Sequence, residues 1–174
     1  PISLYGRTKW EGEDLVRSKI KNHVCFRLAT VFGHSYRMRS DLLVNNFVYT
    51  AIKKKKLTLF EPHFRRNFIH VRDVVNAIIF TMKNFNRLKD NVYNLGLSSA
   101  NISKIMLAKK IQKQYKKLRI KIVTNRKDPD KRDYFVSNKK IEKKGFKAKI
   151  SLEDGISELI QIFTNDKNKV INNY

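Results

Sequence analysis

Tyr5 and Lys9, in the string Ser3-Leu4-Tyr5-Gly6-Arg7-Thr8-Lys9, are the residues of this chain whose types and spacing most directly suggest chemistry. Positions four apart share a helix face, so the phenol and the ammonium are expected to point the same way. A cation held beside a phenol favours its phenolate, which makes Tyr5 a candidate acid/base near neutral pH. The alternative at this spacing is an ordinary solvated helix face. His23, His34 and His63 have no partner at metal-ligand spacing, so no metal site is expected. His70, inside an apolar run, reads as a packed or hydrogen-bonded residue rather than a base.

The elements that must position these groups alternate between strand and helix. Ser3 is expected to cap a helix over 3–22, with Trp10, Leu15, Val16 and Ile20 on its buried side. The apolar run 24–32 reads as one buried strand leading into Gly33. A polar loop, 34–40, precedes a helix over 41–54 that Asp41 would cap. Strands follow at 57–60 and 68–71, and Asp73 opens a helix with Val74, Val75, Ala77, Ile78, Ile79 and Met82 toward a core. Then come a strand at 91–95, a helix at 102–115, a strand at 118–123, a charged loop at 124–133, helices at 139–144 and 152–163, and a polar, frayed tail at 164–174. Strands alternating with helices predict an α/β fold with parallel pairing.

Composition narrows the class. The 174 residues suffice for one domain with a core or for a large piece of a bigger one, and 41% hydrophobic content is that of a globular chain. The chain begins with Pro1 rather than Met and runs straight into a helical pattern, which reads as a fragment or a processed chain. No apolar run reaches membrane-spanning length and no signal peptide is visible, so no membrane insertion is expected. The single Cys25 excludes a disulfide framework; it reads as a buried strand residue in a cytoplasmic protein. Lys and Arg number 38 against 15 Asp and Glu, a net charge of +23. Most of the excess is lysine without interleaved aromatics, zinc-finger spacing or an RNA-binding motif, so nucleic acid is not the expected partner. A solvated lysine surface and affinity for polyanions both remain open on charge alone.

In this order the motifs resemble the C-terminal half of an extended short-chain dehydrogenase/reductase of the nucleotide-sugar epimerase/dehydratase type. The opening string is similar to that family's Tyr-x-x-x-Lys helix, and Phe26-Arg27-Leu28-Ala29-Thr30-Val31-Phe32-Gly33 to the strand after it. Arg65-Arg66-Asn67-Phe68-Ile69-His70-Val71-Arg72-Asp73 resembles its Arg-x-(Phe/Trp)-x-(Tyr/His)-Val-x-Asp signature. Val92-Tyr93-Asn94-Leu95-Gly96 resembles a later strand, and Asp130-Lys131-Arg132-Asp133-Tyr134 with 141–146 the closing segments. No Gly-x-Gly-x-x-Gly or Walker arrangement occurs in the chain; in the family the Gly-rich loop lies in the upstream half.

The resemblance implies the C-terminal part of a Rossmann-like, doubly wound parallel sheet plus a small α/β substrate-binding subdomain. Residues 1–33 would end the dinucleotide-binding domain with the catalytic helix. Residues 34–174 would be mainly substrate-binding, with segments returning to the sheet. It implies NAD or NADP as cofactor and a nucleotide-diphosphate sugar as substrate. Tyr5 would take the proton of a sugar hydroxyl while hydride leaves the same carbon, and Lys9 would favour the phenolate and hydrogen-bond the nicotinamide ribose. Asn46, Arg66 and Arg132 would meet the substrate diphosphate, a task suited to guanidinium. The alternatives are a surface ion pair with Asp73 or Glu61 for Arg66 and an ordinary charged loop for Arg132. Arg37 and Arg39, in the loop 34–39, would either touch ligand or be solvated. A homodimer through 3–22 and 41–54 is expected. A non-catalytic fragment or partner subunit and a basic nucleic-acid-binding module are the other functional classes.

Overall fold

In the computed structural model, which describes residues 3–124 and 133–165, the fold is α/β and mostly parallel. Ser3 starts α1 (Leu4–Lys19): its extended backbone lets the side-chain oxygen accept the Gly6 N–H at 3.1 Å. Arg17 and Lys19 lie in the last turn, where cations favour the negative end of the helix dipole.

The apolar run 24–32 forms two strands in two sheets rather than one. β1 (Val24–Leu28) pairs in parallel with a strand at Asn91–Leu95, Leu28 standing opposite Leu95. Ala29 donates its N–H to Leu95 O at 2.9 Å, and the chain then crosses over. β2 (Thr30–Phe32) pairs in parallel with a strand at Arg65–His70. A largely apolar run carries no mark of the residue at which a chain changes sheets.

In chain order the remaining elements are α2 (Leu43–Lys54), β3 (Lys56–Phe60), β4 (Arg65–His70), α3 (Val71–Lys83), α4 (Phe85–Leu88), β5 (Asn91–Leu95), β6 (Asn101–Ser103), α5 (Lys104–Gln114), β7 (Arg119–Val123), α6 (Lys139–Lys143) and α7 (Leu152–Asn165). β6 joins β4 antiparallel, and β3 pairs in parallel with β7. Two apolar cores result. The larger holds Val48, Leu57, Phe68, Ile111, Ile156 and Phe163; the smaller holds Ile69, Ala77, Tyr93, Leu95, Ile141 and Phe146.

Several expected helix starts move. Asp41 does not cap α2, because Arg39 takes its carboxylate through contacts of 2.8 and 2.6 Å, and the helix begins at Leu43 without a side-chain cap. His70 rather than Asp73 caps α3, its Nδ1 accepting the Arg72 N–H at 3.2 Å. The buried Asp73 carboxylate instead accepts the N–H groups of Lys149 and Ile150 at 3.0 and 2.8 Å. The expected helix over 102–115 divides into β6 and α5, capped by Ser103, whose Oγ accepts the Met106 N–H at 3.3 Å. Residues 125–132, in the expected charged loop, and 166–174, in the expected tail, lie outside the described residues.

Burial of two helices departs most from expectation. No α1 residue is buried, and Trp10, Leu15 and Ile20 are at least half exposed. On α3 Ala77 is buried, but Val75, Ile78, Ile79 and Met82 are exposed. The cause is topological. Among the described residues β1 has one neighbour, β5, so the sheet beside α1 stops at the free edge of β1, while α3 lies against β2 and β4 with its outer side uncovered.

Candidate functional site

Tyr5 and Lys9 share one face of α1, with the Lys9 Nζ 5.6 Å from the Tyr5 ring centroid, within cation–π range. Both line a cleft of about 580 Å³ between α1 and β1, together with Glu13 and Val16 from the helix and Cys25, Phe26 and Leu28 from the strand. Tyr5 is 65% exposed, so its phenol is open to an incoming ligand. Cys25 is half-buried rather than buried, and burial pushes its thiol up from the ordinary thiol range.

One residue pair at this cleft escapes a reading based on Tyr and Lys alone. Glu13 lies four residues beyond Lys9 and accepts two hydrogen bonds of 2.7 Å from Arg27 Nε and Nη2. The guanidinium holds the Glu13 carboxyl below the usual carboxylate range, and Glu13 in turn holds Arg27 up. The signal in the sequence was an acid in register with Tyr5 and Lys9 at positions 5, 9 and 13, facing an arginine on the next strand.

The expected substrate-binding residues are dispersed in burial and role. Arg66 is 5% exposed; its Nη1 donates to Arg65 O at 3.0 Å, and its guanidinium lies over the Tyr134 ring at 5.4 Å. Asp73 is committed to the backbone of 149–150 as described. Arg65 pairs with Asp133, at 3.1 Å from Nε to Oδ1. Arg132 lies outside the described residues. Asn46 is exposed on the first turn of α2, and its backbone N–H donates to Leu42 O at 2.7 Å. That amide is therefore consumed inside the helix, and only the side chain of Asn46 faces outward. Its neighbour Asn45 is the buried one, bonding Gly33 N–H at 3.0 Å and Arg39 O at 3.0 Å to fix the loop after β2.

His70 is packed and hydrogen-bonded, as its setting in the sequence predicted. Its Nδ1 accepts from Arg72, so Nε2 carries the proton donated to Glu158 at 2.9 Å. The ring meets Phe32 edge-on at 5.3 Å, and burial pushes its pKa down.

The two helices expected to form a dimer contact differ in burial. α1 presents an exposed apolar side, but α2 buries Val44, Phe47, Val48 and Ala51 inside its own chain. Asn46, Lys53 and Lys54 are exposed on α2, and Leu43, Tyr49 and Ile52 are half-buried.

The family described as RmlD substrate binding domain matches residues 1–164. A curated relative, an uncharacterized protein of Methanocaldococcus jannaschii, is 26% identical over 178 residues, covering 96% of this chain and 52% of its own length. Among solved structures, UDP-glucuronic acid 4-epimerase from Bacillus cereus is similar with a TM-score of 0.81 at 21% identity, over 94% of this chain and 53% of that one. dTDP-glucose 4,6-dehydratase from Bacillus anthracis, in complex with NAD, is similar with a TM-score of 0.78 at 22% identity, over 95% and 54%. ADP-L-glycero-D-manno-heptose-6-epimerase from Helicobacter pylori gives 0.74 at 22%, over 95% and 52%. At these identities the likeness is one of fold, and the chain spans about half the length of the proteins it matches.

Proposed function

This chain belongs to the RmlD substrate binding domain family, among the nucleotide-sugar epimerase/dehydratase-like short-chain dehydrogenases/reductases, and we propose that it forms the catalytic-helix and substrate-binding part of an NAD(P)-dependent oxidoreductase acting on a nucleotide-diphosphate sugar. The observation that carries this reading is the placement of Tyr5 and Lys9 on one face of α1, lining a cleft against β1. Open parallel sheets take their ligands at the carboxyl ends of strands, and Leu28, the last residue of β1, lines the same cleft.

The residues present fit one end of a dinucleotide. The cleft offers a phenol, an ammonium and a half-buried apolar strand, a setting suited to a ribose and a flat aromatic ring. No Gly-rich strand-to-helix turn accompanies them in the sequence, so the pyrophosphate cradle is assigned to residues outside it. The free edge of β1 and the exposed apolar sides of α1 and α3 are the surfaces on which that cofactor-binding half would rest. Residues 1–33 then close the dinucleotide-binding domain, and 34–174 form mainly the substrate-binding region.

NAD(P), when bound, supplies the hydride acceptor. Tyr5 takes the proton of the sugar hydroxyl undergoing oxidation, which avoids a protonated carbonyl on that carbon. Lys9, which stands beside the Tyr5 ring, would donate to the ribose hydroxyls. Arg66, fixed by its bond to Arg65 O and by the Tyr134 ring, acts on the substrate diphosphate with Arg132, and the Asn46 side chain adds a weaker contact.

The test uses the complete protein with NAD or NADP and a panel of nucleotide sugars, followed by NMR of the sugar. Conversion of one of them, as an inverted centre or a loss of water, is expected. Binding of cofactor without conversion of any nucleotide sugar would overturn the reading in favour of a non-catalytic partner subunit.

A further inference from the structure

Away from the cleft, the register of β3 on β7 brings two remote basic runs together. Lys56 stands opposite Arg119 and Thr58 opposite Lys121, and Arg119 donates its N–H to Lys55 O at 2.9 Å. Lys55 ends α2 in the left-handed region (φ 52°), which turns residues 53–56 onto the start of β3. Lys116 and Lys117 approach the same end from the turn between α5 and β7. All these cations are exposed, and segments 43–60 and 104–124 contain no Asp or Glu. The acids of the neighbouring α7 are committed elsewhere: Glu153 to Lys110, Asp154 to Ser151, Glu158 to His70 and Arg72.

Like charges directly opposite in a ladder repel, and here nothing in either strand offsets Lys56 against Arg119. Neighbouring strands lie about 4.8 Å apart, well inside a Debye length of about 8 Å at physiological salt, so the potentials of these side chains add. We propose that this face of the β3–β7 sheet, with the C-terminal ends of α2 and α5, docks the protein peripherally on an anionic phospholipid bilayer.

Three features favour a bilayer over nucleic acid. The cations are lysines apart from Arg119, point charges suited to a diffuse anionic plane rather than to bidentate base or phosphate recognition. The nearby aromatic rings, Tyr49 and Tyr115, are half-buried against the core and offer no stacking platform. The outward face of the β3–β7 ladder is a sheet surface, and α2 and α5, whose ends flank it, carry no arginine to enter a groove.

The experiment is co-sedimentation of the protein with vesicles of phosphatidylcholine containing about 30% phosphatidylserine, at about 0.15 M salt. The proposal predicts binding that phosphatidylcholine alone does not support and that about 0.5 M salt abolishes. K53E/K56E/K117E should weaken binding at least tenfold. It also places a carboxylate opposite Arg119, so folding should be retained, as a thermal melt checks. K139E/K143E/K147E makes the same change in net charge on exposed positions elsewhere and should stay within about twofold of the parent. Equal weakening by both triple variants would reduce the effect to net charge and overturn the proposal. So would equal binding to phosphatidylcholine alone, which reports the exposed apolar sides of α1 and α3. Tighter binding to an oligonucleotide duplex than to the anionic vesicles, in the same salt, would reassign the face to nucleic acid.

Discussion

The Glu13 carboxylate of α1 meets the Arg27 guanidinium of β1 side by side, through two hydrogen bonds of 2.7 Å. Because α1 buries no residue in this chain, this pair fixes the height and rotation of the helix over the strand. Lys9 and Tyr5 lie about one and two turns back along the same face, so the tie sets where they stand in the cleft.

Breaking that tie should therefore cost stability and position together. Arg27 is 57% exposed and Glu13 12%, so solvent screening limits the pair to about 1 kcal/mol. Glu13→Gln and Arg27→Ala are each expected to lower stability by about that amount in urea titrations. The double variant should lose less than the sum of the two single losses, because both remove one interaction.

His70 predicts a loss of stability on mild acidification. Its folded pKa lies below the unfolded value of about 6.5, so the unfolded chain binds the proton more readily. Its contribution is complete above that value and declines as pH falls from there through the folded pKa. Urea midpoints should fall between about pH 7 and pH 5 in the parent, and the slope should flatten in a His70→Gln variant. The carboxylates of Glu13 and Glu153, held down mainly by Arg27 and Lys110, add a separate loss on further acidification through their own folded pKa values.

Gly155 should invert the usual ranking of helix residues. It lies inside α7, where alanine is ordinarily favoured by about 1 kcal/mol. A Cβ there would stand 2.4 Å from Phe32 Cε2 and 3.0 Å from His70 Cδ2, in a ring pair that has no free space to yield. Gly155→Ala is expected to destabilise by about 1–3 kcal/mol, the ordinary cost of overpacking. A melting temperature equal to or above that of the parent would show that the ring pair moves aside.

Much of the alternation of strand and helix was legible because period and punctuation mark it: Ser3 before α1, Gly96 after β5, the lysine run after α2. What stayed hidden depends on neighbours distant in sequence. The break at Ala29 arises from where β5 ends and β4 begins its pairing, which a run of apolar residues does not encode. β6 is three residues long and its last residue caps α5, so it reads as a helix start. The apolar stripes of α1 and α3 were visible as stripes, but amphipathicity says only that a face seeks cover, not that this chain supplies it. At the site, the common face of Tyr5 and Lys9 follows from helical spacing alone. The Glu13–Arg27 tie and the burial of Arg66 depend on packing between elements.

The role of Tyr5 is tested most directly by Tyr5→Phe in the complete protein, comparing nucleotide-sugar turnover and NAD(P) affinity with the parent. In the proposed role the Tyr5 phenolate oxygen accepts the proton, so turnover should fall by about 10²- to 10⁴-fold while cofactor affinity changes little. Turnover equal to that of the parent would contradict the assignment of Tyr5 as the base and of the α1–β1 cleft as the reaction site.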